Sequence, residues 1–202
     1  MTKSLGSYDT TESLGDHTNS DVLINRLNIL DSDELEKAEV EFTSYRYLSY
    51  KSNVSEIKHL DFNHLKCLHH HLFQDIFEWA GQVREVDISK GYTRFCTVSR
   101  IEAEASKLFD IIPSLDNLAL PDLIQELASL FCELNLLHPF REGNGRTLRF
   151  FFEELVFVLG YTIEWPKITQ QEWIDANIAG VSLDLEPLIT IFRLALSSEK
   201  QD

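Results

Sequence analysis

The chain has 202 residues and a formal net charge of -15. That length accommodates one domain with a short extension, and the acid excess disfavours broad electrostatic binding to nucleic acid. Hydrophobic residues make up 44% and charged residues 25%, which excludes a disordered chain and leaves ample material for a core. No apolar run approaches membrane-spanning length, so no membrane association is expected. No charged-then-apolar start reads as a secretory leader. The three cysteines, Cys67, Cys96 and Cys132, are odd in number and widely spaced. They read as reduced thiols of a cytoplasmic protein.

Residues 1–20 are rich in Ser, Thr, Gly and Asp and read as a flexible tail. Residues 21–54 read as an N-terminal helical extension, with Ser32 capping a helix from about Asp33 to Tyr50. The spacing of Leu65, Leu68, Leu72, Phe73, Ile76 and Phe77 predicts a helix over 57–77, with an interruption near Asp61. Ala80-Gly81 ends it. Val83 to Ile88 alternates apolar with charged, and Thr93 to Val98 returns after Lys90-Gly91, which predicts a small β-hairpin. Ser99 is expected to cap a helix to Ile112. Pro121 opens the next helix, whose leucines lead to His138. Leu148, Phe151, Phe152, Leu155 and Val156 mark a further helix that Gly160 ends. Residues 162–165 read as a short extended piece, Thr169 caps a helix to Ala179, and 184–196 is a final amphipathic helix. The fold class is therefore mostly α with one small hairpin. The main domain covers 55–197, and 198–202 is a C-terminal tail.

The stretch HPFREGNGRTLR, residues 138–149, concentrates the chemistry. Pro139 disfavours helical geometry at His138, so the preceding helix should stop there. The partly negative helix end favours a protonated imidazole, and a histidine so placed is a proton acceptor. Glu142 is a hard oxygen ligand suited to Mg²⁺. Gly143, Asn144 and Gly145 can point successive N–H groups at an anion where a new helix begins. Arg146 and Arg149 share a helix face, and planar guanidinium groups suit phosphate. The run His69-His70-His71 does not read as a metal site, because adjacent helical residues point in different directions.

The stretch 138–149 resembles the signature of the Fic family, H-P-F-x-[DE]-G-N-G-R-x-x-R, with every fixed position filled. Residues 68–96 are similar to the helix, Trp-Ala-Gly turn and flap of that family. The resemblance implies a Fic-type helical domain that transfers AMP from ATP, with Mg²⁺, to a Tyr, Thr or Ser hydroxyl of a target protein. It casts His138 as the catalytic base and Glu142 as the metal ligand. Gly143, Asn144, Gly145, Arg146 and Arg149 become nucleotide contacts, with Asn144 alternatively a loop-closing residue. The flap residues Lys90, Gly91, Tyr92, Thr93, Arg94 and Phe95 become the target-docking edge. Trp79 and Arg84 fit the turn, where structural roles suffice.

Fic proteins are commonly held off by a helix carrying [ST]-x-x-x-E-[GN]. The chain's nearest approach is Ser32 to Lys37, which fails at the last position. The resemblance therefore implies a small antitoxin protein supplying the inhibitory helix, with this chain as the toxin. A degenerate helix acting through Glu36 is the alternative. The target that the resemblance brings to mind is a type II topoisomerase subunit. Competing readings are transfer of another phosphate-linked group on the same scaffold, and a non-catalytic interaction module. Retention of both glycines of the loop favours adenylyl transfer over phosphoryl transfer.

Overall fold

The structure is a computed structural model, and it describes residues 9–10 and 22–197. Most of the expected N-terminal tail and all of 198–202 lie outside the described residues. The first strand, β1, is Asp9–Thr10. Helix α1, Ser32–Ser49, starts one residue before the expected position. Asp31, not Ser32, has the extended backbone a cap needs, and its carboxylate accepts the Glu34 N–H at 2.9 Å. The expected helix over 57–77 is interrupted near Asp61, as anticipated, but ends early at Phe73. A single 3-10 turn at Ile57–His59 precedes α2, Phe62–Phe73, which Asp61 caps by accepting the His64 N–H at 2.8 Å. Residues 74–81 then form turns that end on Gly81, whose φ is 83°.

The hairpin is shorter than its alternation implies. Strands β2, Ile88–Lys90, and β3, Thr93–Arg94, flank a tight turn. The flanking residues spend their polar groups on the helical body instead. Arg84 N–H donates to the Pro139 carbonyl (2.9 Å) and Cys96 N–H to the Leu136 carbonyl (3.0 Å). Strand β1 pairs antiparallel with β2, so β2 is the middle of three strands. Ser99 caps nothing: Val98–Arg100 is a 3-10 turn, and α3 runs Ile101–Phe109 without a side-chain cap.

Helices α4, Leu120–Leu137, and α5, Asn144–Val158, are joined by the signature loop. Their apolar faces (Leu127, Phe131, Leu134 and Phe151, Phe152, Leu155) are buried at the centre of the core. Strand β4, Thr162–Ile163, pairs with β5, Leu196–Ser197. Between them lie α6, Gln170–Val181, opened by a Thr169–Glu172 capping box, and α7, Glu186–Ala195.

Helix α1 is tied to α2 and to the turn after it by polar contacts. Arg46 makes two 2.6 Å bonds to Asp75, and the His71 ring donates its Nε2–H to the Arg46 carbonyl at 2.8 Å. Glu154 of α5 sits buried between His64 (2.5 Å) and the Tyr50 hydroxyl (3.1 Å). These bonds hold α1, α2 and α5 in one block behind the loop. The thiols are free, and Cys132 is buried, which pushes it up to about 11. Cys67 is exposed.

Cys132 also limits its neighbour. A Cβ added at Gly180 of α6 would come within 2.6 Å of the Cys132 Sγ. Overpacking of this kind costs about 1–3 kcal/mol, which outweighs the gain of up to about 1 kcal/mol for Ala over Gly in a helix. Gly180→Ala should therefore lower the thermal midpoint, and adding Cys132→Ala should restore most of the loss. Calorimetric melts of the three variants check this.

Candidate active site

His138 is the C-cap of α4. Its φ of 45° and ψ of 61° are left-handed, as a residue before proline that cannot stay helical permits. This conformation turns its carbonyl out of the helix, and Arg84 meets it. The Arg84 guanidinium donates from Nε to the His138 carbonyl (2.8 Å), from Nη1 to the Val86 carbonyl (2.7 Å), and from Nη2 to the Cys96 carbonyl. Arg84 is 4% exposed, and burial holds its pKa below the usual guanidinium range. One buried side chain thus joins the base of the flap to the catalytic candidate.

The His138 ring is oriented from both sides. A carbonyl can only accept, so the 2.8 Å contact to the Asn135 carbonyl puts the proton on Nδ1. Nε2 is then the accepting nitrogen. The ring stacks on Phe95 with centroids 3.8 Å apart. Burial pushes the imidazole down to about 3, with the nearby cations Arg84 and Lys90 pushing the same way. The helix-end field was expected to favour a protonated ring. Desolvation outweighs it here, and the ring is neutral. A neutral imidazole is the form that accepts a proton.

The loop closes on itself through Asn144. Its Oδ1 accepts the Phe140 N–H (2.9 Å) and its Nδ2 donates to the Phe140 carbonyl (2.8 Å). The side chain is thereby committed, which leaves Asn144 its backbone N–H at the start of α5. Gly143 is the N-cap with φ 78°, and an added Cβ would meet the Phe73 ring at 2.3 Å. No other residue fits there without displacing that ring. Gly145 is helical, and an added Cβ would meet only Arg149 Nη1, at an ordinary 3.7 Å.

His69 supports the loop from below. Its Nδ1 accepts the Gly81 N–H (2.8 Å) and its Nε2–H donates to the Glu142 carbonyl (3.0 Å). Its ring stacks on Phe140 and Phe73 at 3.9 and 4.7 Å. Burial pushes it down to about 3, so it too is neutral. The three consecutive histidines point apart, and among the described residues no cluster of three or more ligating side chains could hold a metal. Phe140, itself buried, anchors the loop through this stack.

The charged residues of the loop divide. The Glu142 carboxylate accepts the Gly143 N–H at 2.7 Å and is only partly exposed. A single carboxylate beside a helix N-terminus fits Mg²⁺, which keeps waters and needs few protein oxygens. Arg146 is ion-paired to Glu39 of α1 and lies 4.7 Å over the Phe73 ring. Arg149, one turn further on, faces the Trp173 ring at 5.6 Å. Among the described residues no carboxylate pairs with it, and burial lowers its pKa. Glu36, the glutamate expected to matter on α1, is exposed; Glu39 is the one that meets a signature arginine.

The flap residues differ in exposure. Lys90 and Thr93 are half-buried, Gly91 turns with φ 57°, and Tyr92 is fully exposed at the tip. Arg94 is largely exposed, 3.6 Å from Asp87. Phe95 is buried over the His138 ring, which gives it a place in the site itself. Sequence reasoning passed over Glu39, read Phe73 only as a core residue, and gave Arg84 only a structural role in the turn. A lone arginine in an alternating stretch gives no sign that it is buried.

The Fic/DOC family matches residues 59–156. A "Probable protein adenylyltransferase Fic" of Salmonella typhimurium is 39% identical over 183 residues, 89% of this chain and 90% of that protein. The protein adenylyltransferase VbhT of Bartonella schoenbuchensis is 38% identical over 161 residues, 78% of this chain but 33% of that longer protein. Among solved structures, the N-terminal Fic domain of a VirB-translocated Bep effector protein from Bartonella quintana, with bound ADP, superposes with a TM-score of 0.83. It is 27% identical, and the match covers 92% of this chain and 95% of that one.

Two tests follow from the buried groups. Arg84→Lys replaces a planar fork with a point charge that cannot serve three carbonyls. Buried carbonyls left unmet cost about 1–3 kcal/mol each, so urea melts should show a loss of about 2–4 kcal/mol. The two histidines set a pH dependence. Their folded pKa values lie below the ordinary 6.5, so the unfolded chain takes up protons first as pH falls. Their contribution is fully present above about pH 6.5 and is lost progressively toward pH 3. The loss is up to about 1.4 kcal/mol per histidine per pH unit. Urea midpoints at pH 7, 6 and 5 should fall in that order, and less steeply for His69→Phe if that variant folds.

Proposed function

The chain belongs to the Fic/DOC family, and from that premise we propose that it is a protein adenylyltransferase. It moves AMP from ATP to a Tyr, Thr or Ser hydroxyl of another protein. One observation carries the reading. The two Asn144–Phe140 bonds close the loop, so a neutral, oriented imidazole stands at one end and, at the other, a helix N-terminus with a guanidinium that pairs with no carboxylate among the described residues. A base and an anion site on one short rigid loop suit attack at a phosphorus atom.

In this reading the acceptor hydroxyl gives its proton to His138 Nε2, and its oxygen bonds to the α-phosphorus. The bond from that phosphorus to the bridging oxygen breaks, and pyrophosphate leaves. Backbone N–H groups at Gly143–Gly145 face the phosphates. Arg149 binds the outer phosphate, because a half-buried cation with which no carboxylate pairs among the described residues is stabilised by a ligand that brings negative charge. Arg146 already holds Glu39 and contributes mainly to the shape of the site. Glu142 would hold Mg²⁺, which supplies charge neutralisation at the phosphate oxygens.

A toxin role is supported by a groove between α1 and α5. The groove has a volume of about 400 Å³ and is lined by Thr43, Tyr47, Leu48, Arg146 and Arg149, among others. An antitoxin helix seated there would bring an acid to Arg149. The free thiols fit action in the cytoplasm.

Incubation with labelled ATP and a bacterial lysate supplemented with a type II topoisomerase subunit tests the activity. Label from the α-position, and none from the γ-position, should enter protein. His138→Ala should abolish it, and Arg149→Ala should lower it by about 10²-fold, the scale of losing one charge-stabilising contact. Incorporation of γ-label alone would mean phosphoryl transfer. The pH profile of the free enzyme should show no break near 6.5, since His138 is neutral well below that value.

A further inference from the structure

Arg149 and Glu153 stand four residues apart on α5, and a helical side chain leans over the turn before its own. Glu153 would by default settle on Arg149. At the same spacing and in the same order, Arg100 and Glu104 at the start of α3 do pair, at 2.6 Å. Yet among the described residues no carboxylate pairs with Arg149. We propose that Tyr47 and Trp165 are positioning residues of the nucleotide site: they hold the Glu153 carboxylate and so leave the Arg149 guanidinium to the outer phosphate. This role rests on the adenylyl-transfer reading, in which Arg149 meets that phosphate.

Both oxygens of Glu153 are engaged. The Tyr47 hydroxyl, from α1, donates to Oε2 at 2.7 Å, and the Trp165 Nε1–H donates to Oε1 at 2.8 Å. Partial burial and the bond to Glu153 push the Tyr47 pKa up to about 12, so its hydroxyl stays a donor at neutral pH. Trp165 packs on Trp173 with ring centroids 5.4 Å apart, and Trp173 faces Arg149 at 5.6 Å. One indole thus holds the acid while its neighbour walls the base. The Arg149 guanidinium leans toward the start of α5, with Nη1 only 3.7 Å from where a Cβ on Gly145 would stand. That is the end of the helix an anion favours. Tyr47, Arg149 and Glu153 nevertheless line one groove. A carboxylate released by its two donors has open space in which to swing to the guanidinium, where it competes with phosphate for the same N–H groups.

Calorimetric titration of the full-length chain with ATP and with ADP tests this, in the unaltered protein, Tyr47→Phe, Glu153→Gln and the double variant. Phenylalanine keeps the ring that lies 5.0 Å from Phe150 and removes only the donor. Tyr47→Phe should weaken ATP binding about 3- to 5-fold, the scale of a partly exposed ion pair, and leave ADP, which lacks the outer phosphate, unchanged. Trp165→Phe, which removes the other donor, should act in the same direction. Glu153→Gln alone should bind ATP at least as tightly as the unaltered chain. Adding it to Tyr47→Phe should restore ATP affinity although the tyrosine donor is still missing; a merely structural defect would weaken both nucleotides and would not be rescued. Unchanged ATP affinity in both donor variants, or a loss that Glu153→Gln does not reverse, would overturn the positioning role while the transferase reading stands. Arg149→Ala checks the premise. If it weakens ATP no more than ADP, Arg149 does not meet the outer phosphate, and this role falls with that assignment.

Discussion

The site depends on the buried guanidinium of Arg84. Pro139 forces His138 out of the helix, and a left-handed residue exposes a carbonyl that must find a donor. Arg84 supplies it and, with the same fork, holds the carbonyls of Val86 and Cys96 at the two ends of the hairpin. The proton acceptor and the hairpin beside it are therefore not independently placed. Phe95 makes the second join, since it leaves the hairpin and covers the imidazole. A lysine in place of Arg84 has the charge but not the plane, and the plane is what spans three acceptors.

Electrostatics in the loop follow burial more than formal charge. Two imidazoles, His69 and His138, are neutral because the interior offers them no carboxylate and little water. Each spends a ring proton on a carbonyl, which fixes its tautomer. The two arginines on the first turns of α5 diverge for a similar reason. Glu39 reaches Arg146 from α1, whereas Arg149 has aromatic surface beside it. Glu39 is itself raised by burial, with Arg146 opposing that shift. Breaking the pair would strand a buried carboxylate, so Arg146 stays where it is and Arg149 remains the cation with capacity for a ligand.

Much of this was legible in residue order, and the limits have physical causes. The twelve-residue signature, the helix stop at His138 and the helices from Pro121 to Gly160 follow from local rules about proline, glycine and periodicity. Caps were misplaced by a residue at Ser32, because neighbouring Asp31 competes for the same role and sequence does not show which one adopts extended geometry. The hairpin was overextended, because Arg84 and Asp87 alternate like exposed residues while Arg84 is buried, and Asp87 accepts the Val98 N–H at 2.8 Å. Contacts between distant segments left no local trace. The pairs Asp9–Ser89 and Glu39–Arg146 join residues about eighty and a hundred positions apart.

Glu39 belongs to α1, which precedes the span matched by the family, 59–156, yet it grips a residue of the signature. Phe73 and His69 of α2 wedge under the same loop. The dozen residues are thus a surface whose walls come from elsewhere. Grafted onto a foreign helix pair, they would keep their letters and lose their shape. A recombinant boundary drawn at the matched span would amputate a wall that the motif leans on.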